Sequence, residues 1–289
     1  MKKWIVAILL LMSPFTSFSA EAKGAEVYIA LGDSLAAGQT PNRAIDAGYT
    51  DLIAQELKKS NQLAFYSKAL AFPGYTTADV LKTVRTKEAK QLLKDATIVT
   101  ISAGANDLLR LVQVNAANGS IAYKQIQANY ALNTVRKNME AIVKEVQVIA
   151  PTAKIYVMGY YFAYPHIRES QSVGIKKELN TLHSILKTEA EANGATYISV
   201  EEAFSNKEKE LIPNPSDVHP TMEGYRLMAN AFFKRYNTNL QINPNELPAP
   251  NPLTFEQILN SQKEKAKTPV SRVEGLDGYL SLTELRSLI

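Results

Sequence analysis

The chain has 289 residues, no cysteine and a formal net charge of +4, with 32 basic and 28 acidic side chains. The lack of cysteine excludes disulfides, thiolate metal sites and a cysteine nucleophile. The nearly balanced charge, with no long basic run, argues against a nucleic-acid partner. The length suffices for one α/β domain of ordinary size and a short additional segment.

Residues 1–22 are predicted to be a secretory signal peptide. Lys2 and Lys3 form its basic start, an apolar stretch follows over residues 4–12, and Ala20-Glu21-Ala22 provides small residues for cleavage. The apolar stretch is too short to span a bilayer. We therefore expect cleavage after Ala22, with Ala20 as the alternative, and a secreted, extracellular protein.

Strand-like and helix-like patterns alternate between residues 23 and 240, which we expect to form the main domain. Strands are predicted over residues 27–31, 62–70, 97–102, 154–161 and 195–200. Helices are predicted over residues 47–59, 77–93, 108–149 with a break near 118–119, 169–193 and 221–236. This alternation predicts a three-layer α/β/α fold, a doubly wound parallel sheet with right-handed crossovers.

Polar residues and glycines follow the predicted strand ends. Ser34 follows the first strand in Gly32-Asp33-Ser34-Leu35, and Gly74 and Asn106 follow the next two strands. Loops after parallel strands open on one edge of the sheet, so these positions are expected to converge. Ser34 is then the candidate nucleophile. The backbone N–H groups of Ser34 and Gly74 and the amide of Asn106 are candidate donors of an oxyanion hole.

A stiff loop with three prolines, residues 213–221, precedes the last predicted helix and carries Asp217 and His219. In an extended backbone, residues two apart point to the same side, so these two side chains can share a face. A serine nucleophile needs a base, and the imidazole needs an acceptor on its other nitrogen. Ser34, His219 and Asp217 provide these three roles.

Four sequence blocks in this order resemble the GDSL family of esterases and lipases, also called SGNH hydrolases, over roughly residues 25–237. The blocks are Gly32-Asp33-Ser34-Leu35, Gly74, Gly104-Ala105-Asn106-Asp107 and Asp217-Val218-His219-Pro220. The resemblance implies a flavodoxin-like sheet, ester hydrolysis through an acyl-enzyme and no cofactor. It also implies that Ser34, Gly74, Asn106 and His219 are the four residues that give the family its second name.

The last block departs from the family pattern at one position. The family's acid usually lies three residues before the histidine, where this chain has Ser216, and Asp217 is one residue closer. Either Asp217 accepts the imidazole N–H through a locally extended backbone, or a main-chain carbonyl such as that of Ser216 does so. We favour Asp217.

Leu108, Tyr161 and His166 are the candidate substrate-binding residues. Leu108 begins an apolar stretch that forms either core or the wall of an acyl pocket, and Tyr161 and His166 lie in an aromatic segment beyond a strand end. His183, in a predicted helix, and Asp33, beside the nucleophile, are expected to be structural. The three histidines are too dispersed for a zinc motif, so no metal site is predicted.

The leading hypothesis is a secreted serine hydrolase acting on lipid or other acyl esters. The alternatives are an O-deacetylase of cell-wall or plant polysaccharide and a non-catalytic binding module on the same scaffold. The expected partner is the acyl-ester substrate, and transient contact with lipid or cell wall is compatible with this activity. Residues 241–289 are predicted to form a Pro-rich linker and a short helical tail.

Overall fold

The computed structural model describes residues 25–254 and residue 257. The predicted signal peptide, residues 1–22, lies outside these residues, as does most of the predicted C-terminal tail. Among the helices that the structure describes, none has the length and hydropathy required to cross a membrane.

The main sheet is parallel throughout. Its strands are β1 (Glu26–Gly32), β2 (Leu63–Ala71), β3 (Ile98–Ser102), β6 (Lys154–Met158) and β7 (Thr196–Ile198). A separate antiparallel hairpin consists of β4 (Gln113–Asn115) and β5 (Ser120–Ala122). The order in the main sheet is β2-β1-β3-β6-β7, which is the order of flavodoxin-like folds. The predicted doubly wound α/β fold is confirmed.

Helices cover both faces of this sheet. They are α1 (Ser34–Ala37), α2 (Tyr49–Lys59), α3 (Thr77–Val84), α4 (Lys87–Leu93), α5 (Ala105–Leu109), α6 (Gln125–Ile149), α7 (Glu169–Ala192), α8 (Glu201–Phe204), α9 (Glu208–Leu211), α10 (Met222–Tyr236) and a 3₁₀ turn (Pro244–Glu246). Helices α2 and α10 pack together on one face, whereas α3, α6 and α7 pack in a row on the other. The long helix α6 buries apolar residues at helical spacing, namely Leu132, Val135, Met139, Ile142 and Val146.

The central strands β1 and β3 position the candidate site. Every residue of β3 is buried, because the sheet is covered by helices on both faces. The chain leaves β1 towards β2 on one side and leaves β3 towards β6 on the other. The β1–β3 pair is therefore the topological switch point, where a crevice opens beyond the carboxyl ends of the strands.

The hairpin corrects the prediction of helical structure over residues 108–149. Helix α5 ends at Leu109, residues 113–122 form β4 and β5, and only residues 125–149 continue as helix. The turn contains Asn118-Gly119, a dipeptide typical of hairpins, with Gly119 at a φ of 62°. The Gln171 side chain in α7 accepts from the N–H of Ile121 and donates to its carbonyl, which holds the hairpin edge.

Smaller differences have local causes. The predicted helix over residues 77–93 is two helices, because Thr86 caps α4 by accepting the N–H of Ala89. The strand predicted over residues 154–161 ends at Met158.

The proline-rich segment after residue 241 lies against the domain, since Leu253 bridges to Ile45 through main-chain hydrogen bonds in both directions.

Candidate active site

Gly32 allows β1 to turn sharply and present Ser34 beyond its carboxyl end. Its φ is 141°, and a Cβ atom at this position would lie 2.1 Å from the carbonyl oxygen of Ser102 on β3. Only glycine tolerates both the backbone conformation and the close approach. Asp33 then caps α1 by accepting the N–H of Leu35 at 3.0 Å, and Ser34 is the first residue of that helix.

Ser34, His219 and Asp217 lie in hydrogen-bonding order. His219 Nε2 is 2.7 Å from Ser34 Oγ, and His219 Nδ1 is 2.5 Å from Asp217 Oδ1. The same Asp217 oxygen accepts the main-chain N–H of His219 at 2.9 Å. The imidazole partner in the structure is thus the Asp217 carboxylate, the favoured alternative of the two. This arrangement provides a nucleophile, a base and a group that orients the base.

Asp33 fixes the loop that carries Ser34, in agreement with the structural role predicted for it. Its carboxylate is buried and accepts hydrogen bonds from Ser102 Oγ at 2.9 Å and from the Tyr160 hydroxyl at 2.7 Å. Burial raises the pKa of Asp33, and these hydrogen bonds oppose part of that effect. The contacts of Ser102 and Tyr160 with Asp33 were not predicted from the sequence, because they depend on the ends of β1, β3 and β6 meeting at one edge of the sheet.

The candidate oxyanion donors lie on neighbouring loops. Asn106 lines the same cavity as Ser34 and His219, and its amide donates one N–H to the carbonyl of Tyr75 at 2.9 Å. Gly74 has a φ of 85°, a Cβ atom built on it would have no neighbour within 4 Å, and its carbonyl accepts from Arg110 at 2.6 Å. Gly74 is not part of that cavity's wall. The loops after β2 and β3 are therefore bound to each other through both Asn106 and Arg110.

Asp107 fixes the position of the Asn106 loop. Its carboxylate accepts from the N–H and the hydroxyl of Thr77 at 2.9 and 2.7 Å, and Asn138 donates to the same hydroxyl. Burial raises the pKa of Asp107. The contact between Asp107 and Thr77 was not predicted from the sequence, although the acidic residue next to Asn106 was visible there.

An apolar cavity of about 100 Å³ opens beside Ser34 and His219. Most of its wall is hydrophobic, with contributions from α5 and the residues after it, from α6 and α7, and from the segment after β6: Leu108, Leu109, Leu111, Val112, Ala128, Phe162, Ile175, Leu179 and Leu182. Two predicted substrate-binding residues, Leu108 and Tyr161, lie in this wall. Tyr161 is held by stacking on Phe204 and by donating to the carbonyl of Val218.

Neither of the other two histidines lies in the wall of this cavity. His166 was predicted to bind substrate, but it does not line the cavity, because its Nε2 is bonded to the carbonyl of Ile212 at 2.8 Å. His183 accepts the N–H of Tyr160 at 3.3 Å and lies 3.4 Å from Glu201. Burial lowers the pKa of His183. Its contacts agree with the structural role that the sequence predicts.

Comparisons with known proteins give one family and a consistent fold. The model of the GDSL-like Lipase/Acylhydrolase family matches residues 30–227. An uncharacterised Bacillus subtilis protein, YpmR, is 22% identical over 246 residues, covering 80% of this chain and 93% of its own length.

Solved structures with the same fold include two lipases and an acetylxylan esterase. A lipase from a goat rumen metagenome has a TM-score of 0.59 at 21% identity, covering 72% of this chain and 95% of its own. An extracellular lipase from Streptomyces rimosus has a TM-score of 0.55 at 17% identity, covering 74% and 99%. The acetylxylan esterase from Geobacillus stearothermophilus has a TM-score of 0.53 at 17% identity, covering 74% and 96%.

Proposed function

The chain belongs to the GDSL-like lipase/acylhydrolase family, and on this basis we propose that it hydrolyses carboxylic esters through an acyl-enzyme on Ser34. The observation that carries the proposal is the contact of His219 Nε2 with Ser34 Oγ at 2.7 Å, with Asp217 on the opposite ring nitrogen. A pure binding module needs no serine paired with an oriented base beside a cavity, so this contact also disfavours the non-catalytic alternative.

The reaction follows from these contacts. Ser34 Oγ attacks the ester carbonyl carbon while its proton passes to His219 Nε2, and Asp217 stabilises the imidazolium. The resulting oxyanion accepts from the N–H groups of Ser34 and Gly74 and from the Asn106 amide. His219 then gives its proton to the leaving alcohol. Water attacks the acyl-enzyme with His219 again as base, which releases the carboxylic acid and restores Ser34.

The cavity wall supports acyl esters of medium or long chain as the substrates. Leu108, Leu179 and Leu182 offer an acyl chain an apolar surface directly beside the nucleophile. Burial of each methylene in such a surface contributes about 0.8 kcal/mol. Deacetylation of a polysaccharide is the second candidate, but an acetyl group would leave most of this apolar wall unfilled, and a polysaccharide favours an open polar cleft.

We also propose that the enzyme works outside the cytoplasm. This proposal depends on Lys2, Lys3 and the apolar segment over residues 4–12, which have the pattern of a signal peptide. Expression of the full chain followed by N-terminal sequencing of the culture supernatant tests it. A mature protein that starts after Ala20 or Ala22 is expected, whereas protein retained in cells with an intact start would contradict export.

Hydrolysis of p-nitrophenyl esters from acetate to palmitate by wild type and Ser34→Ala tests the proposed chemistry. We expect the wild type to be active and the variant to be inactive, with the best chain length beyond acetate. Ser216→Ala is the matched control, because this serine is exposed and lies near the triad without joining it. A fluorophosphonate should phosphonylate Ser34 with loss of fluoride, so that wild type gains the mass of the phosphonyl group and Ser34→Ala does not. Equal activity of Ser34→Ala and wild type would refute the assignment.

A further inference from the structure

A carboxylate interrupts the apolar cavity wall. Glu178 lies on α7 between the cavity residues Ile175, Leu179 and Leu182, and only 8% of its surface is exposed. Glutamate is rarely buried to this extent unless it is paired. Neither the mechanism above nor the sequence patterns assign it a role.

Only one of the two carboxylate oxygens of Glu178 has a hydrogen-bond donor near it. Its Oε1 accepts from Gln125 Nε2 at 2.9 Å, and the Tyr123 hydroxyl is 3.5 Å from the same atom, which is too long for a strong bond. Within residues 25–254, no ion pair involves Glu178 and no donor reaches Oε2. Oε2 is therefore left to water or to a ligand in the cavity that Glu178 lines.

The position of Glu178 places it along the path of an acyl chain. Leu182, one helical turn later, lies against Gly104, at the start of the helix that carries Asn106. Glu178 is four residues nearer the start of α7, or about 6 Å along the helix axis. A chain esterified to Ser34 that follows this wall passes the leucines before it reaches the carboxylate.

We propose that Glu178 is a specificity residue that selects acyl chains carrying a hydroxyl group; this inference rests on the proposed ester hydrolysis. A plain alkyl chain that fills the cavity beside Oε2 excludes water from this oxygen and supplies no donor, so it leaves a carboxylate oxygen without a hydrogen bond. A hydroxyl on the chain donates to that oxygen. Sites built to bond a substrate hydroxyl reject the analogue without it more strongly than apolar pockets discriminate by size.

The neutral hydroxyl fits this site better than an ammonium group. An ammonium would have to pass the apolar wall formed by Leu179 and Leu182, where loss of its hydration is costly. A hydroxyl loses less on the same path and still donates one hydrogen bond. The chemistry of the wall and that of the carboxylate therefore agree on a hydroxylated chain.

The test compares p-nitrophenyl alkanoates with their ω-hydroxy counterparts at each chain length. The measured quantity is the ratio of kcat/KM for the ω-hydroxy ester to kcat/KM for the plain ester of the same length. For the wild type, we expect this ratio to be about tenfold or more higher at one chain length than at the others. In Glu178→Leu that ratio should fall by about tenfold to a hundredfold. The control Glu191→Leu removes an exposed carboxylate from the same helix and should leave activity and ratio unchanged. A ratio that is equal in wild type and Glu178→Leu at every length, or a larger gain with ω-amino esters, would overturn the proposal.

Two further measurements keep this test independent of folding and of the proposed activity. If Glu178→Leu does not fold, Glu178→Gln, which has nearly the same shape and no charge, replaces it and should also lower the ratio. Binding of straight-chain alcohols and α,ω-diols to Ser34→Ala, measured by calorimetry, needs no catalysis. The diol of matching length should bind more tightly, and that advantage should disappear in Ser34→Ala/Glu178→Leu. Persistence of the advantage would overturn the role of Glu178 even if no ester proves to be a substrate.

Discussion

Replacing Asp217 by alanine tests which group orients His219, the proposed general base. The Asp217 side chain is 7% exposed and lies 2.5 Å from His219 Nδ1, so solvent screens this contact little. During attack the imidazole becomes charged, and the carboxylate stabilises that charge. We therefore expect kcat to fall by about 10⁴, equivalent to about 5.4 kcal/mol of transition-state stabilisation, with little change in KM.

The assay is steady-state hydrolysis of p-nitrophenyl butyrate, with thermal unfolding measured on the same samples. Asp217→Asn serves as the second variant, because its amide oxygen can still accept the main-chain N–H of His219 that Asp217 accepts at 2.9 Å. A large loss in both variants, without loss of stability in Asp217→Asn, assigns the effect to the carboxylate charge. If Asp217→Ala kept more than a tenth of wild-type kcat, the reasoning would fail and the carbonyl of Ser216 would become the candidate partner.

Three further predictions concern the oxyanion donors, the cavity and the buried acid. Asn106→Ala should lower kcat by about 10²–10³, because one oxyanion donor is lost; an unchanged kcat would exclude that role. Leu179→Trp should fill the cavity and lower kcat/KM for palmitate relative to acetate by about tenfold or more, and an unaltered chain-length profile would contradict the acyl path. Burial raises the pKa of Asp33, so its contribution to stability is present below the unfolded pKa of about 3.9 and is lost as pH rises through the folded pKa. The difference in unfolding free energy between wild type and Asp33→Asn should accordingly decrease with rising pH in urea titrations, and a constant difference would refute this sign.

The fold was predictable because its signals are local. The buried run of β3 and the helical spacing of α6 follow directly from the residues, and alternation of such elements leaves few topologies. The hairpin over residues 113–122 was not predicted, although Asn118-Gly119 was visible. Its edge is held by Gln171, which lies 50 residues away from Ile121, and short segments of this kind depend on such tertiary contacts.

The convergence of the candidate catalytic residues was predictable for a related reason. Ser34 and Asn106 come directly after buried strands, and parallel strands bring their carboxyl ends to one edge whatever the intervening sequence is. Asp217 and His219 are close in sequence, so backbone geometry limits their separation. His166 has the same kind of position after a strand, but its ring bonds to Ile212 instead of facing the cavity.

The sequence by itself determined the α/β class and indicated Ser34, His219 and Asn106 as candidate site residues, because each of these signals depends on residues close along the chain. Tertiary structure alone decided that Asp217 contacts the imidazole, that Tyr160 braces Asp33 and that Glu178 interrupts the cavity wall. These are contacts between groups whose separation varies by ångströms with helix packing and loop conformation. Hydrogen bonding and burial depend on these distances, and a local pattern of residues does not fix the distances.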